Sequence, residues 1–166
     1  MWKPFFIEDV FSQIQRGKRL IKSNQLDGMT PYISSTALNN GVDNFIGNDE
    51  KVRVFSDCIT IANSGSVGAS FYQPYEFIAS DHVTSLRTKE NLSQFESLFL
   101  TTLLSRLEET YSFNREINDV RIKRQKVLLP TDENGYVNFS YMEKYMKSLE
   151  MKKQVQILGY LIKDIT

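Results

Sequence analysis

Cysteine and histidine, the residues of zinc fingers and redox pairs, occur once each, as Cys58 and His82. A lone thiol forms no internal disulfide, and one Cys with one His falls short of a tetrahedral zinc site. A Cys/His zinc finger and any other metal centre of that type are excluded, and a reducing cytoplasm fits. An excess of charge of either sign is missing as well, since Lys plus Arg and Asp plus Glu number 20 each. The chain is therefore not expected to hold a polyanion by bulk charge, and affinity for one has to come from local patches or a partner. Long apolar runs are absent: nothing approaches the roughly 18 residues of a membrane span. The start Met1-Trp2-Lys3-Pro4-Phe5-Phe6-Ile7-Glu8-Asp9 has no basic stretch leading into an apolar core, so no signal peptide and no membrane contact are expected. No internal repeat or low-complexity segment is readable.

What is present is enough for one globular unit with a core: 166 residues, 41% apolar and 24% charged. From Phe5 to about Ala79 short β-branched and aromatic runs alternate with turn residues. The runs are Thr30-Pro31-Tyr32-Ile33-Ser34, Val52-Arg53-Val54-Phe55, Ile59-Thr60-Ile61-Ala62 and Ser70-Phe71-Tyr72. Between them lie Asp27-Gly28, Asn39-Asn40-Gly41 and Asn63-Ser64-Gly65-Ser66-Val67-Gly68. Glu8 to Phe11 reads as a helical turn before Ser12-Gln13-Ile14. Beyond Ala79 the period changes. Asn91 or Ser93 caps a helix with apolar positions Phe95, Leu98, Phe99, Thr102, Leu103 and Leu107. Ser112 to Asn118 reads as a loop, Asp119 to Lys126 as a short helix or a strand edge, and Val127-Leu128-Leu129 as a strand ended by Pro130.

A long helix closes the chain, capped by Asn138 or Ser140, with an imperfect stripe of Tyr141, Met142, Tyr145, Met146, Leu149, Leu158 and Leu161. The fold expected is α+β. A compact mixed or antiparallel sheet domain with a packed helix spans residues 1–137, and the helix of residues 138–166 packs on its own domain, a partner subunit or a second copy.

Three patterns invite a catalytic reading. Ser80-Asp81-His82 holds the residue types of a hydrolase triad, but in a strand Asp81 faces away from its two neighbours. The glycine-rich run at Asn63–Gly68 lacks the Lys-Ser/Thr of a phosphate loop and the Gly-x-Ser-x-Gly of a nucleophile elbow, which leaves a tight hairpin. Pro130-Thr131-Asp132 with Glu150-Met151-Lys152 mimics metal-dependent nucleases loosely, yet Glu150 and Lys152 belong on a solvated helix face. Two basic clusters remain, Arg16, Lys18, Arg19 and Lys22 near the start and Arg115, Arg121, Lys123, Arg124 and Lys126 later.

Three segments in order resemble the DNA-specificity subunits of type I restriction-modification systems, namely their target recognition domain and the helix that follows it. The first runs from Gly17-Lys18-Arg19 through Thr30–Thr36 to Asn39-Asn40-Gly41-Val42-Asp43. The second joins Ile59–Ala69 to Phe71-Tyr72 and Ala79-Ser80-Asp81-His82-Val83. The third joins Ser112-Phe113-Asn114-Arg115 to Leu128-Leu129-Pro130, Asp132-Glu133-Asn134-Gly135 and the last helix with Phe139, Met142 and Tyr145. The likeness extends to recognition domains of two-subunit or fused restriction-methylation enzymes.

The resemblance implies a non-catalytic half-subunit, with one recognition domain where such subunits usually carry two. Neither the cofactor loop nor the Asn/Asp-Pro-Pro-aromatic motif of adenine methyltransferases is present, so no cofactor is expected. Double-stranded DNA and a methyltransferase subunit are the implied partners, with a restriction subunit and a second copy of the chain as further candidates. Arg16, Lys18, Arg19, Arg115, Arg121 and Lys123 would contact phosphates, and Ser34, Ser35, Asn63, Ser64 and Ser66 would meet base edges. Tyr141, Met142, Tyr145, Met146, Leu149, Leu158 and Leu161 would pack on the partner. The rival readings are a degenerate recognition domain that serves only assembly, and a small hydrolase using Ser66 or His82.

Overall fold

The computed structural model describes residues 1–111 and 115–163. Ser112, Phe113 and Asn114, used above in the loop reading and in the resemblance, lie outside the described residues. Among the described residues, ten short strands form three sheets. Strand β1 (Trp2–Phe6) pairs antiparallel with β10 (Lys126–Pro130). In β10 the period of two buries Val127 and Leu129 and exposes Leu128.

A single helical turn, α1 (Ile7–Val10), buries Ile7 and Val10 on one side and leads into β2 (Phe11–Arg16). Strand β2 joins a four-stranded antiparallel sheet of order β2-β9-β6-β7, with β6 at Cys58–Ala62, β7 at Ser70–Gln73 and β9 at Val83–Thr88. All five residues of β6 are buried, as in a strand covered on both faces. The strand series thus continues past Ala79 into β9. The third sheet has the order β4-β3-β8-β5, from β3 (Asp27–Ile33), β4 (Val42–Ile46), β5 (Val54–Phe55) and β8 (Phe77–Ala79). Its β3 and β8 run parallel, pairing only at Tyr32 and Ile33. Pro31, which has no N–H to donate, sits where β8 does not reach.

Helix α2 (Gln94–Ser105) starts at a capping box: the Ser93 hydroxyl accepts from Glu96 N, and the Glu96 carboxylate accepts from Ser93 N. Its buried residues are Ser97, Phe99, Leu100, Thr101 and Leu104. The expected stripe is part of this face, with Phe99 and Leu107 buried and Leu103 packed on the core, but Thr102 is exposed, and Leu100 and Leu104, outside that stripe, are almost completely enclosed. The helix is apolar on more than one side because it packs against β6 and β7 on one flank and the last helix on another, so spacing alone did not fix its face.

The Asn118 carboxamide accepts from Val120 N and Arg121 N, which starts helix α3 (Asp119–Arg124) and settles helix over strand edge there. Helix α4 (Phe139–Lys163) begins with Tyr141 N donating to Asn138 Oδ1. The main core gathers α1, α2, α3, β10 and the start of α4 around Ile7, Leu86, Leu100, Leu104, Ile122 and Met142. Met142 is wholly buried there, so it is not available to a partner, contrary to its expected place on a contact stripe. No described helix is long and apolar enough to cross a membrane.

Candidate nucleic-acid interface

The parallel pairing of β3 and β8 has a direct consequence for the loops. Ile33 and Ala79 are in register, so the chain leaves both strands at the same sheet edge, and Ser34-Ser35 emerges beside Ser80-Asp81-His82. Ser80 N donates to Ile33 O at 3.0 Å. The first basic segment runs alongside, with Gly17 N donating to Val83 O and Lys18 N to Ala79 O, both at 3.0 Å. The glycine-rich loop closes on the same place, since Ser66 N donates to Ser35 O at 3.0 Å. Four segments distant in sequence therefore meet at one edge.

Beside this junction lies an open cleft of about 280 Å³ lined by Arg19, Lys22, Gln25, Tyr32, Ser34, Ser35, Asp43 and Ser80 to His82. Arg19 and Lys22 are exposed, and Ser34 and Ser35 are half-buried. Burial pushes the Tyr32 hydroxyl above its ordinary pKa and the Asp81 carboxylate adds to this, so Tyr32 remains a neutral donor, directed at Leu20 O at 3.3 Å. Exposed cations beside short hydroxyls suit a polyanion with hydrogen-bonding edges.

Several expected site residues serve the scaffold instead. Asn63 is 1% exposed: its N donates to His82 O, its carbonyl accepts from Ile117 N, and its Oδ1 accepts from Thr84 Oγ1. Ser64 is buried too, with its Oγ 2.7 Å from His82 Nδ1. Neither residue is exposed to a base edge. Ser66 is half-buried and tied by its backbone to Ser35. The loop is also no tight hairpin, since residues 63–69 separate β6 from β7. Its glycines answer to close approach. Gly65 has φ +61 and a Cβ there would stand 2.8 Å from Ser35 O, while at Gly68, φ +91, it would stand 2.5 Å from Glu108 N.

Arg16 is likewise committed, with its Nε donating to Asp119 Oδ1 at 2.8 Å and its Nη2 to Ile117 O at 2.9 Å. It joins the end of β2 to the start of α3, and so is a tie rather than a free phosphate contact. Lys18, Arg19 and Lys123 remain exposed. Arg121 is exposed and donates to Glu116 O, and the Arg115 guanidinium lies 5.7 Å from the Tyr111 ring centroid.

Ser80-Asp81-His82 is a turn between β8 and β9 and not a strand, with Val83 N donating to Ser80 O. Strand alternation therefore does not set Asp81 apart from its neighbours, and His82 meets the Ser64 hydroxyl, not that of Ser66. Lys22, Gln25, Tyr32 and Asp43 were missed as members of the cleft, because only strand pairing brings them there. Among the described residues no cluster of His, Cys, Asp and Glu could hold a metal ion.

Residues 1–158 match the family model described as type I restriction modification DNA specificity domain. The specificity subunit S.BcgI of a type II restriction enzyme from Heyndrickxia coagulans is 31% identical over 152 residues, covering 91% of this chain and 44% of that protein. The chain thus spans less than half the length of this curated relative. The fold is similar to that of the S subunit of a type I restriction-modification system from M. genitalium, with TM-score 0.65 and 16% identity over 98% of this chain and 42% of that one. The HsdS subunit from Thermoanaerobacter tengcongensis is similar at TM-score 0.63 and 16% identity, over 96% and 39%.

Proposed function

This chain belongs to the type I restriction modification DNA specificity domain family, and from that premise we propose that it chooses a short DNA sequence for a methyltransferase or restriction complex and performs no chemistry itself. The observation that carries this reading is the cleft at the shared end of β3 and β8, where exposed Arg19 and Lys22 meet Ser34 and Ser35. Lysine and arginine fix register on phosphates without reading sequence, and hydroxyls reach base edges in the major groove. Lys18, Arg115, Arg121 and Lys123 extend the phosphate-facing set. A chain of zero net charge needs further cationic surface for tight binding, and a modification subunit supplies it.

The outer half of α4 is assigned to a second copy of the chain. Two copies together approach the length of the curated relative, of which one chain covers 44%. Leu158 and Leu161 are more than half exposed, and Tyr141, Tyr145, Met146 and Leu149 border the groove from which this half emerges. A twofold pair would read a symmetric split site. Light scattering of the pure protein that finds only monomer at high concentration overturns the pair, and α4 then belongs to the methyltransferase subunit.

Methylome sequencing of cells with and without the chain, beside its cognate methyltransferase, tests the main reading. A methylated motif that vanishes with the chain is expected. A reconstituted complex that assembles but methylates without sequence preference would favour the assembly-only module.

A further inference from the structure

Asp81 and His82 are the part of the cleft whose chemistry is still unassigned. The turn that carries them is tied at several backbone positions: Ser80 N donates to Ile33 O, Arg16 Nη1 donates to Asp81 O, His82 O accepts from Asn63 N and His82 N donates to Ser80 Oγ. The ring is held as well, by the buried Ser64 hydroxyl 2.7 Å from Nδ1. The other ring nitrogen, Nε2, lies 3.9 Å from Asp81 Oδ1. A carboxylate only accepts, and a hydroxyl both donates and accepts. The arrangement therefore favours the ring tautomer with hydrogen on Nε2 and with Ser64 donating to Nδ1. The imidazole side chain is 58% exposed and that of Asp81 34%.

The result is a pair at the cleft mouth, its imidazole oriented by Ser64, with one donor and one acceptor side by side. We propose that Asp81 and His82 together read one adenine in the major groove, Asp81 accepting from its N6 amino group and His82 Nε2 donating to its N7, with Ser64 as the positioning residue. Among the four bases adenine alone presents a donor and an acceptor ring nitrogen next to one another on that edge. A phosphate is the poorer occupant, because Asp81 and Asp43 both face the cleft and repel it. Arg19 and Lys22 hold the flanking phosphates. Sequence reasoning passed over this pair because Ser-Asp-His in a row suggests hydrolysis, and because the Ser64 contact joins residues 18 apart.

This inference rests on the DNA-recognition reading, and the test separates the two. The chain is purified with its methyltransferase and presented with a randomised duplex library, and the bound sequences are read for the wild type, His82→Phe, Ser64→Ala and Ser64→Thr. The expected result is that His82→Phe relaxes one adenine position of the motif, by roughly 10- to 100-fold in preference, with binding to unmatched DNA unchanged. Ser64→Ala should relax that same position and Ser64→Thr, which keeps the hydroxyl, should restore part of it. A motif unchanged in His82→Phe overturns the inference. So does relaxation at a base other than adenine, or an even loss across all sequences, which marks a phosphate contact. Should Ser64→Ala fail to fold, the exposed His82 ring still decides the matter. Absence of any motif in the wild type would instead overturn the recognition reading itself.

Discussion

The two halves of α4 are built from similar side chains and live in different surroundings. In the first half Met142 is fully buried, and Phe139 and Met146 pack against the main core. Tyr141 and Tyr145 stack on one another with centroids 6.1 Å apart and meet Phe99 edge-on, at 6.4 and 5.7 Å. In the second half Met151, Val155, Leu158, Leu161 and Ile162 are each more than half exposed. The backbone does not distinguish the halves, since the i to i−4 bonds of a helix are internal and continue wherever the residues permit. What differs is the cover. Apolar surface is stabilising only where something removes it from water, and the domain ends before the helix does. Met151, Val155, Leu158 and Ile162 fall at intervals of four, three and four, the spacing with which one helix meets another.

Substitutions at four positions sharpen or break this contrast. Met142→Ala should cost the most, about 2–5 kcal/mol in chemical denaturation, because it opens a cavity in a closed core. A loss under about 1 kcal/mol would mean that the first half is not seated as described. Asn138→Ala removes the acceptor for Tyr141 N and should cost about 1 kcal/mol, with Asn138→Asp close to neutral in the same measurement.

Lys147→Ala breaks the partly exposed pair with Glu143, 2.9 Å apart, and the contact of its ammonium with the Phe95 ring, and should change stability by only about 0.5–1 kcal/mol, less in high salt. Leu158→Glu lies beyond the domain and should leave the unfolding of dilute monomer within about 0.5 kcal/mol of wild type, while abolishing self-association in light scattering. Equal costs for Met142→Ala and Leu158→Glu in the monomer would erase the distinction between the halves.

Much of the fold was legible beforehand. Ile59–Ala62 and Ser70–Tyr72 fell in strands as their β-branched and aromatic residues indicate, and Ser93 with Glu96 announced the start of α2. The buried face of α2 was read only in part, with Leu100 and Leu104 left out of it, because Phe95, Leu98, Phe99, Leu100, Leu103 and Leu104 offer more apolar sides than one core needs. Strand β1 escaped notice because its partner β10 lies more than 120 residues away in sequence.

The site was less legible than the fold. Arg19, Ser34 and Ser35 were named and do share the cleft. Asn63, Ser64 and Arg16 were named for their polarity, and all three spend it inside the protein. Polarity tells that a side chain needs a partner, not whether that partner is the backbone of the same chain or a ligand.

The sequence by itself determined the class of protein: a neutral α+β chain with too few cysteines and histidines for a zinc finger, bearing the ordered segments of a recognition domain. Those properties are sums over composition or follow from local order, so they survive without coordinates. Only the tertiary structure decided which polar residues are free to meet a ligand. That choice turns on the parallel pairing of β3 with β8, which brings Ser34-Ser35 to the Ser80–His82 turn, and on the docking of the glycine loop against Ser35. Both are contacts between residues far apart in the chain: once Ile33, Phe77 and Ala79 are buried their backbone groups need protein partners, and Val42, Phe55, Arg53, Lys18 and Ser80 supply them from distant segments.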